Sequence, residues 1–105
     1  MMNAWIDIVE YRDFHDVPRI FVVDLDGTLL LFDCQFDEVA DEYPNTFEVY
    51  QLHDNIALPL DWSELASKAA RHKGQISVSD VVFDESRRKR VRRKELEASL
   101  SEIDE

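Results

Sequence analysis

Cysteine is nearly absent from this chain of 105 residues: Cys34 stands alone, so no internal disulfide braces the fold. Glycine and proline are scarce, at two and three, which excludes long flexible linkers and low-complexity tracts and leaves a mostly ordered chain. No stretch approaches the run of about 18 apolar residues that a membrane-spanning helix needs. The opening MMNAWIDIVEYRD carries acids where a secretory leader has a basic start and an apolar stretch. These absences point to a cytoplasmic protein with no membrane role.

Basic residues are also scarce over most of the length. Residues 1–86 hold five against eighteen acids, net −13, and residues 95–105 add five acids and no base. Between them RRKRVRRK, residues 87–94, holds seven cations and no acid, and the chain as a whole carries −11. Such a body repels nucleic acid and anionic lipid at long range. The basic run alone attracts either of them, or an acidic protein surface.

What is present is ordinary for a globular domain: 45% of residues are hydrophobic and 10% aromatic. A chain of this size buries roughly 60–65% of its unfolded surface. That is enough for one core, so residues 1–105 are expected to form a single domain.

The pattern of apolar residues places the elements. AWIDIVEY, residues 4–11, reads as a strand, and RDFHDVP turns the chain, with Pro18 pushing the residue before it toward extended geometry. IFVVDL and TLLLFD flank Asp26-Gly27, and Asp-Gly between two apolar runs predicts a two-residue type I′ hairpin. That loop sets the register: Leu25 pairs with Thr28, Val23 with Leu30, Phe21 with Phe32 and Arg19 with Cys34. The face they share is apolar, and Cys34 is expected to be a small buried residue on it.

Downstream, FDEVADEYPN is too short and acidic for more than a helical turn, and TFEVYQL, residues 46–52, alternates as a strand. Asp61 then precedes WSELASKAARHKG. Glu64 lies three residues on as in a capping box, Trp62, Leu65, Ala66 and Ala69 share a face, and Arg71, His72 and Lys73 lead to a stop at Gly74. A helix is expected there. QISVSDVVF, residues 75–83, reads as a fifth strand, and Asp84 or Ser86 as the cap of a final helix through Leu100.

One stretch carries a catalytic resemblance. An apolar strand followed by DLDGT resembles the first motif of the haloacid-dehalogenase-like phosphohydrolases. The resemblance implies Asp24 as a nucleophile forming an aspartyl-phosphate, Asp26 as general acid and base, and a magnesium ion beside both. It covers about ten residues. In that family the strand leads through a loop to a helix of a parallel sheet, whereas LLLFDCQF continues as a second strand. No late lysine followed by an apolar strand and an acidic pair appears before the chain ends. The hairpin reading is therefore preferred, and Asp24 and Asp26 are expected to shape a turn.

The remaining constellations are plainer. His15, His53 and His72 have no partner at metal spacing, and Asp33 beside Cys34 opposes thiolate formation. The acids at 33, 37, 38, 41 and 42 suit a solvated loop better than a divalent-cation site. In the basic run, Arg87, Arg88, Lys89, Arg90, Arg92, Arg93 and Lys94 repel one another at the positive end of a helix dipole. An anion is expected to compensate them, from the acidic body, another protein or a second copy, or nucleic acid.

The sequence thus predicts an α+β fold: a mostly antiparallel sheet of four to five strands with a central Asp-Gly hairpin, one packed helix and a basic C-terminal helix. Residues 87–105 are expected to form a partly detached helical tail. The expected function is non-catalytic: a protein-interaction module or small accessory protein without cofactor or metal, whose partner is a protein, a second copy as a homodimer included. A nucleic-acid-binding module using residues 87–94 stands second and a minimal phosphohydrolase third.

Overall fold

The computed structural model describes residues 4–14, 18–34, 36–52, 69–85 and 89–103. Six antiparallel strands form one sheet: β1 (Trp5–Phe14), β2 (Pro18–Leu25), β3 (Thr28–Asp33), β4 (Thr46–Leu52), β5 (Ala69–Ser77) and β6 (Arg90–Arg92). Their spatial order is β5-β4-β3-β2-β1-β6, so each of the first five pairs with its neighbour in sequence and β6 closes the far edge against β1. Among the described residues a single α-helix, α1 (Arg93–Ile103), follows β6 directly. The architecture is α+β.

The hairpin is built as its turn chemistry requires. Asp26 and Gly27 take φ of 54° and 95°, the left-handed pair of a type I′ turn. The register Leu25↔Thr28, Val23↔Leu30, Phe21↔Phe32 follows, and the Cys34 amide donates to the Arg19 carbonyl at 2.8 Å. Strand alternation then sends Phe21, Val23, Leu30, Phe32 and Cys34 to one face, where they meet Phe47, Val49, Ile76, Val81, Phe83, Leu96 and Leu100. Phe21 stacks on Phe32 with centroids 4.8 Å apart, and Phe47 and Phe83 approach Phe21 edge-on. The opposite face carries a smaller buried cluster, Ile20, Val22, Leu31 and Leu52, with Leu29 and Tyr50 against it.

Three expectations change. The helix proposed from Asp61 lies largely outside the described residues, but its last turn does not. Ala69, Arg71 and His72 pair with Leu52, Gln51 and Tyr50 as part of β5, so the long backbone ladder offered by β4 outweighs a modest local helix preference. The fifth strand accordingly ends at Ser77, earlier than expected, and Val78–Asp80 forms a single 3-10 turn.

The described part of the basic run is not one helix: Arg90–Arg92 form a strand, and only Arg93 and Lys94 open the helix that follows. Arg90 and Arg92 point outward while Val91 is fully buried, a two-residue period that makes β6 a sixth strand. Its Ile6↔Val91 register ties it to β1, and the Arg92 amide donates to Val82 on its other side. The helix that packs on the sheet is therefore α1. It holds Arg93 and Lys94 as its only bases against Glu95, Glu97 and Glu102, so it is not a basic helix. No helix among the described residues is long and apolar enough to cross a membrane.

Helix and sheet meet closely at Gly74. Its φ is +142°, and a Cβ there would stand 3.1 Å from Cβ of Ile103. Lys73 is an extra residue in β5 at this point, since Val49 pairs with Gly74 and Tyr50 with His72. Gly74→Ala is expected to destabilise the fold by about 1–2 kcal/mol, through backbone strain and displacement of the helix end. Gly27→Val, in open space but at positive φ, is expected to cost about 1 kcal/mol or more. Urea unfolding of both variants checks this.

Candidate functional site

DLDGT sits at the tip of the β2–β3 hairpin with both carboxylates exposed. Asp24 Oδ1 accepts the amide of Gly27 at 2.8 Å. Asp26 accepts from Nη1 of Arg93 at 3.1 and 3.3 Å. One acid thus closes the turn from inside and the other ties the turn to the first residue of α1. Arg93, whose side chain is 15% exposed, also reaches Glu97 at 3.6 Å, and its amide donates to the Ala4 carbonyl. Among the described residues no group of three or more His, Cys, Asp or Glu has the arrangement of a metal site.

The basic run is divided by its own backbone. Arg87 and Arg88 lie outside the described residues. Lys89 is exposed, with its ammonium 5.6 Å from the centre of the Tyr11 ring, and Arg90 stands 5.8 Å from the Trp5 ring. Arg90 also pairs with Asp84 at 3.7 Å. Arg92 makes a two-pronged contact with Glu95, at 2.6 and 2.7 Å, which lowers the Glu95 pKa below the ordinary carboxylate range and raises that of Arg92. Lys94 is exposed on α1. Arg90, Arg92 and Arg93 thus each meet a carboxylate of the same chain.

Asp84 holds this corner. It was expected as a helix cap, and its carboxylate does receive backbone amides, but those of Lys89 at 2.7 Å and Arg90 at 3.1 Å. It is 5% exposed. A buried carboxylate that accepts two amides and faces a guanidinium fixes where β6 begins.

The acidic loop after β3 is a tight turn. Asp37 Oδ1 accepts the amides of Val39 and Ala40, Asp37 and Glu42 bridge backbone to backbone, and Asp41 takes φ of 57°. Val39 at its tip is fully exposed. Cys34 is buried, and its thiol donates to the Pro44 carbonyl at 3.3 Å.

One cluster escapes the sequence reading because His72 is expected in a helix. In β5 it lies opposite Tyr50, with ring centroids 5.0 Å apart, and its Nε2 is 3.0 Å from Oε1 of Glu48. Glu48 in turn faces Asp33 across β3 and β4. Burial, then the charges of Asp33 and Glu48, push the Tyr50 hydroxyl pKa up. The alternation of TFEVYQL already placed Glu48 and Tyr50 on one face; only the β5 partner was hidden.

Asp84→Ala is expected to destabilise the protein by about 1–3 kcal/mol, since two amides lose their acceptor, with partial recovery in Asp84→Asn, read by urea unfolding. The Glu95 carboxyl, lowered by Arg92 in the fold, stabilises above its unfolded value of about 4.3. That contribution is lost as pH falls through the folded value. An NMR titration of Glu95 is expected to give a midpoint below that value in the parent and near it in Arg92→Ala.

Compared with known proteins, the chain matches no family model, no curated protein and no solved structure.

Proposed function

We propose that this protein is a non-catalytic interaction module of the cytoplasm whose partner is another protein. The observation that carries the reading is the fate of its two most suggestive motifs. Asp24 and Asp26 of DLDGT hold a turn and a helix start, so the carboxylates that the phosphohydrolase resemblance would make nucleophile and acid serve the hairpin. Arg90, Arg92 and Arg93 face Asp84, Glu95 and Asp26, so much of the basic run is compensated internally. What the chain presents outward is a surface of net negative charge, suited to steering a basic partner.

Nucleic acid is the second reading, and one feature favours it: Trp5 and Tyr11 of β1 stand beside Arg90 and Lys89, an aromatic and cationic pairing that single strands use for stacking and phosphate contact. Against it stand the −11 charge and the internal ion pairs.

Cross-linking of the tagged chain in cells separates the two. Adducts are expected to survive nuclease and disappear with protease. In solution, a labelled random RNA or DNA oligomer is expected to bind no tighter than about 10 μM near physiological salt. Sub-micromolar binding that falls steeply with salt and vanishes when Lys89, Arg90, Arg92 and Lys94 become alanine would favour nucleic acid instead. Magnesium-dependent phosphatase turnover lost in Asp24→Asn would favour the enzyme.

A further inference from the structure

Of the two glycines, only Gly27 follows an aspartate, and that pairing is open to a reaction of its own backbone. The amide nitrogen of a glycine, with no side chain to shield it, can attack the carboxyl carbon of the residue before it. A bond forms from the Gly27 nitrogen to Cγ of Asp26, the Cγ–OH bond breaks, and the hydroxyl leaves as water with the amide proton. The five-membered succinimide then takes up one water at either carbonyl. Opening at the α-carbonyl leaves isoaspartate, whose backbone runs through the side chain and is one methylene longer. Water is the one co-reactant, and both residues of the turn are exposed to it.

The native turn is arranged against that attack. Asp26 is left-handed, with φ of 54°. At the ψ of that region the Gly27 nitrogen lies nearly anti to Cβ about the Cα–C bond, whereas ring closure requires the two eclipsed. Nearly half a rotation of the peptide therefore separates the closed turn from the geometry in which the reacting atoms meet. Two contacts hold the closed turn in place. The Gly27 amide donates to Oδ1 of Asp24 at 2.8 Å, and Nη1 of Arg93 donates to both carboxylate oxygens of Asp26, at 3.1 and 3.3 Å. The attacking nitrogen and the carboxyl group are each engaged elsewhere.

We propose that Asp26 is a site of spontaneous isomerisation that the closed β2–β3 turn keeps latent, so that isoaspartate forms there in molecules whose hairpin has opened. The chemistry is slow beside the opening and closing of a turn, so its rate follows the open fraction. The product is a one-way mark. Its extra methylene removes the two-residue loop that sets Leu25 against Thr28 and Phe21 against Phe32, and a hairpin that loses its loop geometry loses its register. The carboxylate left for Arg93 then sits directly on Cα.

The test incubates the full chain near neutral pH, folded in buffer and unfolded in guanidinium chloride. Isoaspartate at position 26 is read by electron-transfer mass spectrometry of the peptide that spans the turn. The folded chain is expected to convert at least about tenfold more slowly than the unfolded one. Asp24→Ala removes the acceptor of the Gly27 amide, and is expected to speed the folded reaction about three- to tenfold while leaving the unfolded rate unchanged. Asp24→Asn keeps an oxygen acceptor and is expected to stay near the parent. Equal rates in the folded and unfolded parent would overturn the proposal, as would a folded Asp24→Ala that converts no faster than the parent or is accelerated equally in denaturant. Should Asp24→Ala fail to fold, the parent's folded-to-unfolded ratio decides alone.

Discussion

The stack of Phe21 on Phe32 is the contact on which the rest of the molecule is arranged. The rings lie 4.8 Å apart and within 5° of parallel because a two-residue turn puts their strands in one register. The pair adds about 0.5–1.5 kcal/mol beyond the area it buries. Its larger effect is geometric. Phe47 from β4 and Phe83 from the segment before β6 both approach Phe21 edge-on, so three distant parts of the chain are located by one ring. A slip of one residue in the hairpin would turn Phe21 and Phe32 to the other face and scatter all of them.

From that centre the sheet grows outward, and its two ends differ. At the hairpin end the charges are consumed by structure: Asp24 closes the turn, Asp26 ties it to Arg93, and Asp84 holds the start of β6 through two amides. Individually exposed ion pairs contribute little, about 0–1 kcal/mol. The buried anchors Val91, Leu96 and Leu100 do most of the work of fixing β6 and α1, and the salt links choose their orientation. At the β3–β4–β5 face Glu48 stands opposite Asp33 and reaches the His72 imidazole at 3.0 Å.

Much of this was legible in the letters, and the reason is local chemistry. Asp26-Gly27 needs only its own backbone preference to make a type I′ turn, and the alternation on either side needs only the two-residue period, so β2, β3, their register and the burial of Cys34 follow. TFEVYQL is legible for the same reason. The site was less so. Glu48 and Tyr50 could be placed on one face, but their meeting with His72 depends on a strand that the sequence disguises as the end of a capped helix.

The sequence by itself determined the hairpin, the apolar face it presents, the acidic surface and the α+β class, because each follows from neighbours within a few residues. Tertiary structure alone decided that ARHKG extends a sheet and that RVR is a strand. A free β4 edge offers Ala69–Ser77 a ladder of backbone hydrogen bonds, and an apolar slot beside Ile6 offers Val91 complete burial. Both exceed the few tenths of a kcal/mol by which local propensity favoured a helix. The same long-range pairing placed Arg93 against Asp26, sixty-seven residues away, a contact that no local pattern contains.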